Sequence, residues 1–263
     1  MSKASKRERQ RLNREARREY EEKLAKRRRT MKAARRIGII AAPVVVVLIV
    51  ITVTSGGGSS SAGGVTCQSA SKPPAKTTHL TAPTSGLSPG VTYQASVQTT
   101  CGTIQVSLDA QHYPKAVNNF VYLANQGFYD NLAFVRAVKG FVVQAGSPDQ
   151  SNSTSNTGPG YTVQAETPTT QPAQKYYPVG TLAFAKSGSE PAGSADSQFF
   201  IVTGPQGASL SPDYAVIGHV TVGLAVAKKI ETLAPPSGDG PPTKTVVIKK
   251  LRISSGAATT PTS

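Results

Sequence analysis

Arg136 stands in Phe134-Val135-Arg136-Ala137-Val138, an apolar run of strand type. A guanidinium there must reach something polar, because burying it unpaired is prohibitively costly. It offers fixed positive charge and a fork of hydrogen-bond donors, which suits stabilising charge or a lone pair on a bound molecule. The next apolar run, Phe141-Val142-Val143-Gln144-Ala145-Gly146, carries a second polar group, Gln144. The usual parts of other chemistries are missing. His79, His112 and His219 are scattered, no G-x-S-x-G elbow, P-loop or H-E-x-x-H occurs, and Gly56-Gly57-Gly58 precedes no βαβ unit. Cys67 and Cys101 stand in no metal-ligand spacing, so neither a metal nor another cofactor is expected. They form either one bridge or two free thiols. Glu190 and Asp196 read as surface charges of a loop.

Such groups need strands to hold them. Residues 91–99 place Tyr93, Ala95 and Val97 on one face, and residues 103–109 place Ile104, Val106 and Leu108 on one face. That period of two predicts a hairpin turning at Cys101-Gly102. Pro114 opens a helical pattern, with Val117, Phe120, Val121 and Ala124 at i, i+3, i+4 and i+7, and Gly127 closes it. Short apolar runs recur at 133–138, 141–145, 180–185, 198–203 and 214–222. A second helix is expected over 224–232 and a last strand over 245–253. Many short strands between Gly and Pro turns, with only two helices, predict a mainly β domain over 91–254. Its expected form is a closed antiparallel barrel capped by the helices.

The formal charge of +15 is lopsided: residues 1–36 carry sixteen Lys and Arg against five Glu, hence +11, and the rest is nearly balanced. Only that basic segment needs an anionic neighbour, so the high isoelectric point is no sign of a nucleic-acid-binding body. Residues 37–54, IGIIAAPVVVVLIVITVT, hold no charge and are just long enough for a single transmembrane helix. A cleaved signal peptide is the stronger rival and a buried core segment the weaker one. Cations crowd before the span, and the next after it is Lys72. The expected topology is therefore single-pass in the cell membrane, with residues 1–36 cytoplasmic and the body outside. Residues 55–90, rich in Gly, Ser, Thr and Pro, read as a flexible linker, and 255–263 as a disordered tail.

Five segments in order resemble the cyclophilin family. Phe134-Val135-Arg136, then Gly140-Phe141, then Gln144-Ala145-Gly146 match its Phe-x-Arg, Gly-Phe, Gln-x-Gly pattern. Gly180-Thr181-Leu182-Ala183-Phe184-Ala185, running on to Ser197-Gln198-Phe199-Phe200-Ile201, resembles its second motif. Residues 114–120 resemble its first helix, Gly158-Pro159-Gly160-Tyr161 the loop before a strand, and Tyr214-Ala215-Val216-Ile217-Gly218 the strand after the active-site wall. The resemblance spans about 91–254 and implies an eight-stranded cyclophilin-like barrel. It also implies peptidyl-prolyl cis-trans isomerase activity of a bacterial, membrane-anchored form.

That reaction rotates an X-Pro amide against a barrier of roughly 20 kcal/mol set by amide resonance. It needs a donor for the twisted amide, apolar walls for the proline ring and backbone partners for the adjoining chain. By resemblance Arg136 donates to the prolyl nitrogen, selectively in the transition state. Gln144 orients it and bonds the substrate, and Phe141 completes the catalytic set. Phe141, Val142, Phe200 and Leu210 form the proline pocket with Tyr214 at its rim, Ala185 and Lys186 bind the peptide through backbone, and Gln198 lines the neighbouring subsite. Against this, Phe141, Phe200 and Leu210 could simply be barrel core.

The chain departs from the family at Val135, Lys186, Ser209 and Tyr214 and in a longer loop over 187–196. With no Trp anywhere, weak cyclosporin binding is expected. The expected partners are proline-containing segments of exported or cell-envelope polypeptides and the membrane through the anchor, with no nucleic acid, and the protein is expected to be a monomer. The alternative is a weakly catalytic or non-catalytic proline-peptide-binding chaperone or tether at the outer membrane face.

Overall fold

Alternation along the strands builds the domain. The computed structural model describes residues 64–152, 158–168 and 176–257. In β1 (Val91–Thr99) Tyr93, Ala95 and Val97 are buried, and in β2 (Gly102–Leu108) Ile104, Val106 and Leu108 are. The two form the expected hairpin, Ala95 facing Val106 and Val97 facing Ile104. The chain continues through α1 (Pro114–Asn125), β3 (Leu132–Val138), β4 (Val142–Ala145), β5 (Val163–Gln164), β6 (Thr181–Phe184), β7 (Ser194–Ala195) and β8 (Phe199–Val202). A 3-10 turn, Pro205–Ser209, leads to β9 (Val216–Val222), α2 (Leu224–Glu231), β10 (Asp239–Gly240) and β11 (Val247–Ala257).

The strands pair in the order β3-β11-β1-β2-β9-β6-β8-β4, and β4 pairs back onto β3. This closes an eight-stranded antiparallel barrel, which leaves no open edge in the ring. β10 is added at the far end of β3, and β5 with β7 makes a separate two-stranded ribbon. These two-residue strands are too short to show any period in the sequence.

Helix α1 buries Val117, Phe120, Val121, Leu123 and Ala124. Pro114 begins it without needing a donor. The Glu166 carboxylate accepts the free N–H of Lys115 (3.0 Å) and Ala116 (3.3 Å), placing negative charge where the helix dipole favours it. Helix α2 buries Val226, Ala227 and Ile230.

Side chains of β4, β6 and β8 divide between two apolar clusters. Val143, Ala145, Leu182, Phe184, Phe199 and Ile201 join Phe120 in the main core. Their neighbours Val142, Ala183, Phe200 and Val202 point the other way, into a smaller cluster with Tyr177 and Val216. One face of these strands thus fills the barrel and the other builds its outer wall.

Residues 64–90 form no helix or strand before β1, yet they are tied down. Cys67 and Cys101 form a disulfide, which decides the alternative left open by the sequence. Gln68 N–H donates to the Thr100 carbonyl, Lys76 N–H to Pro148 and Leu80 N–H to Pro159. The Lys76 ammonium donates to the carbonyls of Phe128 and Asp130, and its partial burial lowers its pKa. Linker composition is thus no bar to an ordered path: the segment cannot fold alone, but a disulfide and main-chain bonds hold it to a finished barrel. Cys67→Ser is expected to destabilise the domain by about 2–4 kcal/mol, by releasing a closed loop in the unfolded chain. Urea unfolding of wild type and variant, each with and without reductant, measures it. Equal midpoints for oxidised wild type and variant would contradict it.

The expected tail boundary also moves. β11 runs past residue 254, with Ser255 opposite Tyr93, Gly256 opposite Thr92 and Ala257 opposite Val91. Pairing needs only main-chain groups, so a Ser/Gly sequence continues the strand as long as β1 lies beside it. The expected basic segment 1–36, the apolar segment 37–54 and the tail from 258 lie outside the described residues. Among the described residues no helix is long and apolar enough to cross a membrane.

Candidate active site

The outer wall carries the predicted site. Across adjacent strands β3, β4, β8, β6 and β9, the register aligns Arg136, Gln144, Phe200, Ala183 and Val216 in one row. Val138, Val142 and Val202 make the row beside it. A cleft of about 370 Å³ opens over these rows, lined by Arg136, Phe141, Val142, Gln144, Ala185, Lys186, Phe200, Leu210 and Tyr214, together with Asn152 and Asp239. Nine of the ten residues expected from the sequence therefore meet in one cleft. The tenth, Gln198, stands just behind it: Gln144 Nε2 donates to Gln198 Oε1 at 3.0 Å.

Arg136 reaches this face through a register shift. Phe134 pairs with Ala145 and Arg136 with Gln144, so two steps along β3 match one along β4. Strict alternation would put Arg136 on the side of Phe134, inside the barrel; the bulge at Val135 turns it outward. There its side chain is 26% exposed and forms a two-pronged pair with Asp239, Nε to Oδ1 and Nη2 to Oδ2, each at 2.7 Å. The pair raises the arginine pKa and holds the Asp239 carboxyl below its ordinary value. Among the described residues Nη1 has no hydrogen-bond partner, and Arg136 makes no hydrogen bond to Gln144. The hydrogen-bond partner expected in Gln144 is instead Asp239, on a two-residue strand with no sequence signal.

The apolar floor is aromatic and ordered. Phe200 and Tyr214 meet edge-to-face at 5.4 Å, and Tyr177 lies 6.0 Å from Tyr214 and 6.4 Å from Phe200. The Tyr177 hydroxyl accepts the Tyr214 N–H and donates to the Tyr214 carbonyl, both at 2.9 Å, clamping the rim residue. Burial pushes the Tyr177 phenol pKa up. Sequence reading missed Tyr177; its one signal was the Tyr-Tyr-Pro at 176–178. Phe141, Phe200 and Leu210 belong to this outer cluster and not to the barrel core.

Opposite the floor, Ala185 N–H donates to the Gln198 carbonyl at 2.8 Å. The Ala185 carbonyl and Lys186 N–H have no partner among the described residues, which leaves one acceptor and one donor for an extended peptide. The Lys186 ammonium donates to the carbonyls of Ser187 (3.3 Å) and Glu190 (3.1 Å) and sits 5.6 Å from the Tyr214 ring centre. Glu190 in turn accepts the Ser187 N–H. Asp196 is not a free surface charge: it is half-buried, accepts the N–H of Ser197 and of Gln198 (2.9 Å), and desolvation raises its carboxyl pKa. It shapes the turn that presents Gln198.

A closed barrel with an aromatic cleft on its wall, a guanidinium at its edge and a free main-chain acceptor and donor is built to hold an extended peptide. The chain belongs to the cyclophilin family: the model for "Cyclophilin type peptidyl-prolyl cis-trans isomerase/CLD" matches residues 94–253. It is an enzyme of the peptidyl-prolyl cis-trans isomerase type. Peptidyl-prolyl cis-trans isomerase B of Bacillus subtilis is 42% identical over 127 residues, 48% of this chain and 82% of that protein. Probable peptidyl-prolyl cis-trans isomerase B of Mycobacterium leprae is 38% identical over 176 residues, 62% of this chain and 57% of that protein. A crystal structure of a Cryptosporidium parvum cyclophilin type isomerase in the presence of the dipeptide ala-pro superimposes with TM-score 0.52 at 26% identity, covering 62% of this chain and 99% of that one.

Proposed function

We propose that this isomerase rotates X-Pro bonds in exported or cell-envelope polypeptides, from the outer face of a bacterial cell membrane to which residues 37–54 anchor it. The observation that carries the mechanism is the row Arg136, Gln144, Phe200 across β3, β4 and β8, flanked by Val142. A proline ring rests on Phe200, Val142, Phe141 and Leu210, with Tyr214 at the rim. The adjoining chain pairs with the Ala185 carbonyl and the Lys186 N–H, and the side-chain amides of Gln144 and Gln198 fix the residue before proline.

As the amide twists, resonance is lost and the prolyl nitrogen gains a lone pair. Arg136 donates to it through the N–H groups that Asp239 leaves free. The planar ground state offers no such acceptor, so the interaction lowers the barrier without tightening substrate binding. No bond is made or broken and no cofactor takes part. The enzyme acts as a monomer without nucleic acid and, lacking tryptophan, binds cyclosporin weakly.

The address is supported by the Cys67–Cys101 disulfide, a bond that persists in oxidising compartments. The charge asymmetry around 37–54 supports the orientation, with residues 1–36 cytoplasmic. The activity is tested by an X-Pro isomerisation assay on the domain: a wild type without activity, or equal to Arg136→Ala, refutes the mechanism. The topology is tested with protease on intact cells. The expected result is loss of the domain with the basic segment spared; a fully protected domain refutes the outward orientation.

A further inference from the structure

We infer that Asp239 is the positioning residue for Arg136, holding the guanidinium in the one orientation that serves a twisting amide; this rests on the isomerase reading above. An arginine side chain has four rotatable bonds, and a donor aimed at a lone pair that exists only in the transition state must already be in place when it forms. Asp239 removes that freedom. Both of its oxygens accept, one from Nε and one from Nη2, each at 2.7 Å, so the plane of the guanidinium is set as well as its position. Both Nη1 hydrogens and one on Nη2 remain for substrate. The carboxylate is also part of the cleft wall.

The backbone around Asp239 is shaped to deliver it. β10 pairs Asp239 with Val138 and Gly240 with Ala137, so the aspartate lies beside the end of the strand that carries Arg136. Gly238 (φ +85°) and Gly240 (φ +149°) flank it in conformations that side chains resist. Gly238 N–H donates to the Pro235 carbonyl at 2.8 Å, and the Gly238 carbonyl accepts Lys139 N–H at 3.1 Å, closing the turn onto β3. A short strand held by two such glycines fixes one side chain against Arg136. An ordinary exposed ion pair contributes little to stability, so orientation is the property this one supplies.

The experiment compares wild type, Asp239→Asn, Asp239→Glu, Arg136→Ala and the double variant Asp239→Asn/Arg136→Ala. X-Pro exchange is followed by NMR at several substrate concentrations, with urea midpoints and the Arg136 Nε–H resonance. Asp239→Asn is expected to lower kcat about tenfold with KM nearly unchanged, a modest share of what holding a reacting group in its productive orientation is worth. The Nε–H signal should shift and broaden, Asp239→Glu should recover part of the loss, and Asn at 239 should add nothing to Arg136→Ala. Asp239→Asn at wild-type kcat, or an equal loss with and without Arg136, overturns the inference while leaving the isomerase reading intact. An inactive wild type, or an Arg136→Ala variant at wild-type rate, overturns that reading and this inference with it.

Discussion

Arg136→Ala is expected to lower kcat/KM for X-Pro isomerisation about 100- to 1,000-fold, the loss typical when one donor that stabilises transition-state charge is removed. The effect should fall on kcat, because the acceptor exists only in the twisted amide. Stability should change by no more than about 1 kcal/mol, since among the described residues the guanidinium pairs with the half-exposed Asp239 alone. Arg136→Lys separates charge from geometry. An ammonium keeps the charge but cannot engage both Asp239 oxygens and also present a fixed N–H to the substrate. It should recover less than a tenth of the lost rate, by a rough reading of what orientation is worth. A lysine variant near wild-type rate would show that charge near the proline suffices.

Phe120→Ala is the stability counterpart, expected to cost about 3–5 kcal/mol. Phe120 is fully buried, with its ring 5.1 Å from Tyr129, 5.7 Å from Phe199 and 6.3 Å from Phe184. It joins α1 to the barrel interior, and a cavity there cannot be filled by one neighbour moving. For a domain of this size the melting temperature should fall by about 10 °C or more. Below that transition the variant should keep most of its activity, because Phe120 touches Phe199 on the inner face and the cleft uses Phe200 on the outer one. A thermal melt and an isomerisation assay at low temperature check both parts. Loss of activity without loss of stability would place Phe120 in the wrong layer.

Every strand of the barrel ring and both helices were legible in the chain, because period two, period 3.6 and short unbroken apolar runs are local properties that survive without a partner. Tyr93, Ala95 and Val97 face inward in the structure as their spacing required, and Pro114 and the apolar stripe after it mark α1. Too short to repeat, β7 and β10 were not legible, and β5 was marked only by the resemblance of Gly158-Pro159-Gly160-Tyr161 to a loop before a strand. The path of residues 64–90 was not legible either, since its bonds are main-chain groups and a disulfide to distant parts of the fold.

The site divides the same way. Sequence alone determined which residue types stood ready: an arginine and a glutamine in apolar strands, with aromatic residues near them. The tertiary structure decided which way they face and who holds them. A bulge at Val135 turns Arg136 from the barrel interior to the outer wall, a choice made by pairing with β4 and invisible in a run of five residues. Asp239, a hundred and three residues further on, became its partner because β10 docks beside β3. Local pattern sets what a strand can bury; only closure of the barrel, which joins residues far apart in the chain, sets what its polar groups can reach.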